Sequence, residues 1–166
     1  VEREVKRFDE LLNEGERVCG EWLLTAVGTK YDLPHEPFVA FDMIHGKTRL
    51  PFHQFIARLA YSGFVIPQTL SMGEPLTIET ALQLIEVSAH GALEPVEGAI
   101  WRVERKGVVD FLCKYVRADK VDGKYLDSDI CNGVLPKYEY LIDYLQELDL
   151  PIQQSESKSS QSSPDV

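Results

Sequence analysis

No stretch of this chain approaches the run of about 20 apolar residues that a membrane-spanning helix needs. No signal-peptide pattern opens it either, so membrane insertion and secretion are not expected. Cysteine is scarce: Cys19, Cys113 and Cys131 are odd in number and no two form a CxxC pair. That spacing argues against a disulfide framework and against a zinc site, and favours a reducing, cytoplasmic setting. The four histidines, His35, His45, His53 and His90, fall in no HExxH or other ligand pattern and read as surface or polar-core residues. Basic residues are outnumbered 17 to 27, leaving a net charge of −10. This excludes a surface coated in positive charge for tight non-specific nucleic-acid binding. Internal repeats are absent, and 166 residues suffice for one domain with a proper core but not comfortably for two.

The positive charge that is present is gathered. Between Trp101 and Lys124 stand seven basic residues against four acidic ones, a window of net +3 within an acidic whole. The window holds two β-rich runs, 96–105 and 108–117, around Lys106-Gly107. That dipeptide predicts a hairpin with a two-residue loop. With such a loop Arg105 faces Val108, Glu97 lies across from Val116, and Ala99 lies across from Lys114. Glu97 and Lys114 would then project from one face, about two positions apart. One extra residue in the pairing would put them on opposite faces.

Elsewhere, periodicity predicts an amphipathic helix over 1–13, stopped at Asn13-Glu14-Gly15. RVCGEWLL (17–24) and FVAFDMI (38–44) read as strands, with the proline-containing YDLPHEP as a loop between them. Helices are expected from Pro51 to Ser62, with Gly63 as terminator, over 76–87, and from Tyr138 to Leu148. FVIPQTL (64–70) is a short strand at most. After Pro151 six serines fall in fourteen residues, so 151–166 reads as a disordered tail beyond a domain at 1–150. The fold class is α+β, a mainly antiparallel sheet with packed helices.

Four short motifs then occur in order on predicted strands: GEWL (20–23), FVAFD (38–42), EGAIWR (97–102) and FLCKYVR (111–117). Judged singly, each is bland. Phe41 reads as core, Glu21 and Glu97 as exposed carboxylates, Lys114 as a lysine snorkelling from a sheet edge, and Trp22 and Trp101 as packing. Taken together over about residues 15–125, the order resembles the ATP-dependent RNA ligases of the covalent nucleotidyltransferase superfamily. DNA ligases and mRNA capping enzymes belong to the same superfamily. The resemblance implies an ATP-grasp-like nucleotidyltransferase core and the joining of 5′-phosphate and 3′-hydroxyl RNA ends through enzyme-AMP and RNA-adenylate intermediates. ATP and RNA ends would be the partners, with Mg²⁺ as cofactor.

Residue by residue, the resemblance implies that Glu21 hydrogen-bonds the ribose and that Phe41 stacks on the purine. Glu97 would bind the metal and orient the phosphates, and Lys114 would neutralise the α-phosphate. Such transfers need in-line positioning and cations along the oxygens. The chain departs from the pattern in two places. Where many ligases carry a second lysine two residues before Lys114, this sequence has Leu112; Lys106, Arg117 or Lys120 are the candidates to supply that charge. The nucleophilic lysine of a KxDG or KxxG motif should lie several dozen residues before the GE motif. Only twenty residues precede Glu21, none forms it, and the first is Val1 rather than Met, so the domain reads as incomplete at its start. Lys120-Val121-Asp122-Gly123 spells KVDG but downstream of the last motif, and reads as a charged turn at a strand end. Alternatives are an inactive ligase-like module that binds nucleotide or RNA, or a DNA ligase or capping-type relative. The chain is expected to form no covalent AMP adduct with labelled ATP and Mg²⁺; an acid-labile, base-stable labelled band would contradict this.

Overall fold

The computed structural model describes residues 2–85, 90–126, 130–135, 138, 142 and 153–154. Its elements run α1 (Glu2–Leu11), β1 (Glu16–Trp22), β2 (Phe38–His45), β3 (Thr48–Arg49), α2 (Phe52–Leu59), α3 (Ile78–Leu84), β4 (Gly98–Arg105), β5 (Val108–Val116), β6 (Ile130–Cys131) and β7 (Gln153–Gln154). Strands β1, β2 and β3 form one antiparallel sheet in that order, and β4 and β5 form a second. The short β6 and β7 pair in parallel. The class is α+β, as expected. The helix anticipated at 138–148 lies outside the described residues except for Tyr138 and Ile142, as does the serine-rich tail except for Gln153–Gln154.

The core forms where α1 and α2 close one face of the first sheet. Leu11, Ala40, Met43, Phe55, Leu59 and Phe64 are its buried members. Phe8 stacks on Phe64 at 5.0 Å and meets Phe38 edge-on at 5.3 Å, contacts each contributing roughly 0.5–1.5 kcal/mol beyond their buried area. Helix α2 starts after Pro51, as proline's fixed φ favours, and no side chain of its own caps it. Glu104 of β4 supplies the missing acceptor: its Oε1 takes the Phe52 N–H at 2.7 Å. A carboxylate at a helix N-terminus satisfies an orphan donor and suits the helix dipole. That contact also joins β4 of the second sheet to α2.

Arg58 near the end of α2 holds the chain where α1 passes into β1. It donates to both Glu16 carboxylate oxygens, at 2.9 and 2.8 Å, and to the Leu11 carbonyl. The hydrogen bonds from Arg58 lower the Glu16 carboxyl from 4.5 to about 2, against the opposing effect of burial. Because the folded value lies below the unfolded one, this contribution is complete above about pH 4.5 and disappears as pH falls towards 2. Urea titrations at about pH 6 and about pH 3 should show it: Arg58→Met is expected to destabilise strongly at the first and much less at the second. An equal cost at both would contradict the assignment.

The hairpin turn is the two-residue loop expected, with φ of +53° at Lys106 and +75° at Gly107, the mirror-image turn that matches strand twist. Its register differs from the expectation. Arg105 faces Val108 and Glu104 faces Val109, but Val103 faces Phe111, so Asp110 is an unpaired bulge residue. The bulge adds one residue to β5 and shifts every later pair. Lys114 therefore lies across from Ile100, not Ala99, and Gly98 rather than Glu97 faces Val116.

Candidate active site

Both glutamates of the motifs stand beside a glycine where two strands approach closely. A Cβ on Gly20 would lie 2.7 Å from the Val39 carbonyl and 2.3 Å from the Phe38 ring. A Cβ on Gly98 would lie 1.9 Å from the Tyr115 carbonyl. The GE and EG pairs thus couple a carboxylate to a point of close backbone packing, which fixes where each glutamate emerges.

Strict alternation in the shifted register would send Glu97 and Lys114 to opposite faces. Glu97 stands just before the first residue of β4, its carbonyl still accepting from Arg117 N at 2.9 Å, and its side chain reaches Lys114 all the same. Its Oε2 accepts from Lys114 Nζ at 3.2 Å. Its Oε1 lies 3.6 Å from Lys120 Nζ. The expected pairing of Glu97 with Lys114 is present, reached by a different route.

Glu21 emerges from β1 across from Val39 and is exposed. Tyr31, on the loop after β1, reports its proximity to Glu97: burial raises the phenol above its ordinary value, and the negative charges of Glu97 and then Glu21 raise it further. Asn132 holds that loop, accepting from Tyr31 N at 2.9 Å and donating to the Leu23 carbonyl at 2.7 Å.

Phe41 is not core. Cys19 faces Asp42 and Gly20 faces Ala40, so Phe41 is the extra residue of a second bulge. Phe41 is 43% exposed while Ala40 and Asp42 on either side are buried. Bulges re-aim side chains in this way, and here the result is an accessible flat face on the same sheet as Glu21. Asp42, given no role by sequence, is 1% exposed and clasped by Arg49 and Arg102, the latter at 3.4 Å. Arg102 also donates to Glu104 at 2.7 Å and to the Leu50 carbonyl. This clasp ties the strand of Phe41 to the strand that follows Glu97. Trp101 is a packing residue as expected, its indole N–H bonded to the Leu76 carbonyl at 2.9 Å.

The basic window is largely neutralised in place. Six of its seven cations form ion pairs: Arg102, Arg105, Lys114, Arg117, Lys120 and Lys124. The KVDG segment is a turn after β5, as expected, but Lys120 is no solvated charge. Its side chain is 9% exposed, and Nζ donates to the Gly28 carbonyl at 2.7 Å and to Thr29 Oγ1 at 3.0 Å. Among the described residues, no group of three or more His, Cys, Asp or Glu side chains is placed to hold a metal. Within the same residues, no helix is long and apolar enough to cross a membrane.

The α+β frame thus brings Lys114 and Lys120 onto one carboxylate, Glu97, beside the loop after β1. The particular family follows from comparison: the RNA ligase family model matches residues 1–116, and the chain belongs to that family. No curated protein and no solved structure matches it.

Proposed function

We propose that this domain handles adenylate during ATP-dependent joining of 5′-phosphate and 3′-hydroxyl RNA ends, as part of an ATP-grasp-like nucleotidyltransferase core. The observation that carries the reading is the Glu97 carboxylate held 3.2 Å from Lys114. In this reading the Phe41 ring takes the purine face and Glu21 accepts a hydrogen bond from the ribose. Lys114 leaves Glu97 for a non-bridging oxygen of the adenylate phosphate: the 3′-hydroxyl attacks the RNA 5′-phosphorus and yields its proton to solvent, the phosphoanhydride bond breaks, and the charge left on departing AMP is met by Lys114. Glu97 is the carboxylate that would hold Mg²⁺ once a phosphate draws Lys114 from its Oε2, since that ion binds through one or two carboxylates plus substrate phosphates and keeps several waters. Bound there, the ion would neutralise phosphate charge.

The test uses RNA duplexes nicked and already 5′-adenylated, which carry their activated phosphate and need no attack on ATP. The expected result is joining with release of AMP in Mg²⁺, slower on nicked DNA. Faster sealing of DNA would move the assignment to a DNA ligase. Nucleotide-dependent thermal stabilisation without sealing would favour a binding module. Neither sealing nor stabilisation would overturn the reading. Phe41→Ala is expected to weaken AMP binding roughly ten- to a hundredfold, the range for losing one base–aromatic stack. An unchanged affinity by calorimetry would remove the ring from the site.

A further inference from the structure

The two lysines on Glu97 differ in standing. Lys114 is 53% exposed and contacts one carboxylate oxygen, whereas Lys120 is 9% exposed and contacts the other. Lys120 also grips the Gly28 carbonyl and Thr29 Oγ1. One ammonium group thus links three segments: the loop after β1, the residue before β4, and the turn after β5. A buried lysine with fixed acceptors keeps its position, while an exposed one exchanges partners easily.

We propose that Lys120 is a positioning residue for Glu97, holding one carboxylate oxygen against the 28–29 loop so that Lys114 is free to move from the other oxygen to a substrate phosphate. The inference rests on the adenylate-handling reading for its purpose, though not for its geometry. Without Lys120, Glu97 would have Lys114 as its one cation among these contacts, and the two would lock together. The site would then lose both an oriented carboxylate and a deliverable charge. A solvated turn lysine would have no such effect.

Competitive acylation of lysine amines, read by peptide mass spectrometry on the whole chain, tests this directly. In the wild type, Lys120 should react slowly and Lys114 readily. Lys120→Met is expected to slow acylation of Lys114 by roughly two- to fivefold, the scale of strengthening one exposed ion pair. ATP binding should weaken by about tenfold, as for loss of a charge-assisted contact. A second variant removes any dependence on how Lys120→Met folds. A Cβ on Gly28 would meet Lys120 Nζ at 2.5 Å and Cε at 2.9 Å, so Gly28→Ala displaces the lysine from its seat while keeping its charge. It should act in the same direction. In a Glu97→Gln background both effects on Lys114 should vanish, because the coupling runs through that carboxylate. Unchanged Lys114 reactivity in both variants, or an equal change without Glu97, would overturn the proposal. If the coupling holds but wild type binds neither ATP nor AMP, the proposed function fails instead.

Discussion

Asp42→Ala is expected to cost about 3–5 kcal/mol of stability, the range for removing one partner of a buried ion pair. Asp42 is 1% exposed, clasped by Arg49 and Arg102, and accepts from Met43 N at 3.0 Å. Arg102 keeps Glu104 and the Leu50 carbonyl as partners, but both arginines lose their shared carboxylate and the Met43 N–H loses its acceptor. For a chain of this length the loss corresponds to a fall in melting temperature of roughly 6–20 °C. Thermal and urea denaturation would measure it. A melting temperature within about 2 °C of wild type for the single variant would show that the clasp does not hold the two sheets together. The consequence reaches the site, because this contact sets the bulge of Phe41 against the strand that begins beside Glu97.

Lys114→Ala should do the reverse, leaving the fold intact and impairing binding. Its resting partner is Glu97, in a pair exposed on both sides, and such pairs contribute at most about 1 kcal/mol. A phosphate contact is charge-assisted and contributes more, about 1.5–3 kcal/mol. ATP affinity is therefore expected to fall roughly ten- to a hundredfold, with little change in melting temperature. Calorimetry with wild type and variant checks this. Since the site is open to solvent, the difference should shrink as salt is raised. Equal affinities at low salt would remove Lys114 from the phosphate site.

The elements whose signals are local were legible in the sequence. Lys106-Gly107 announced the hairpin because a two-residue loop with both φ positive needs a glycine. Pro51 and Gly63 bracketed the second helix for equally local reasons. The register of that hairpin was not legible, since the bulge at Asp110 depends on how β4 and β5 pack and leaves no residue signature. Phe41 illustrates the same limit: its strand composition suggested core, and a bulge opposite Cys19 and Gly20 turned it outward. Lys120 was hidden for another reason. Its partners, Gly28 and Thr29, lie over 90 residues away, and no local pattern distinguishes a lysine that reaches them from one in solvent. The order of motifs suggested four residues and offered Lys120 as one of three candidate charges; the burial of Lys120 and the clasp on Asp42 carry no sequence signal.

The central claim is that Glu21, Phe41, Glu97 and Lys114 border one cleft for adenylate. Titrating isotope-labelled chain with AMP and following backbone and side-chain NMR shifts tests it most directly. The account predicts that resonances of all four residues, with Tyr31, move together along one saturating isotherm. Shifts confined to other surfaces, or four residues responding with unrelated affinities, would contradict it.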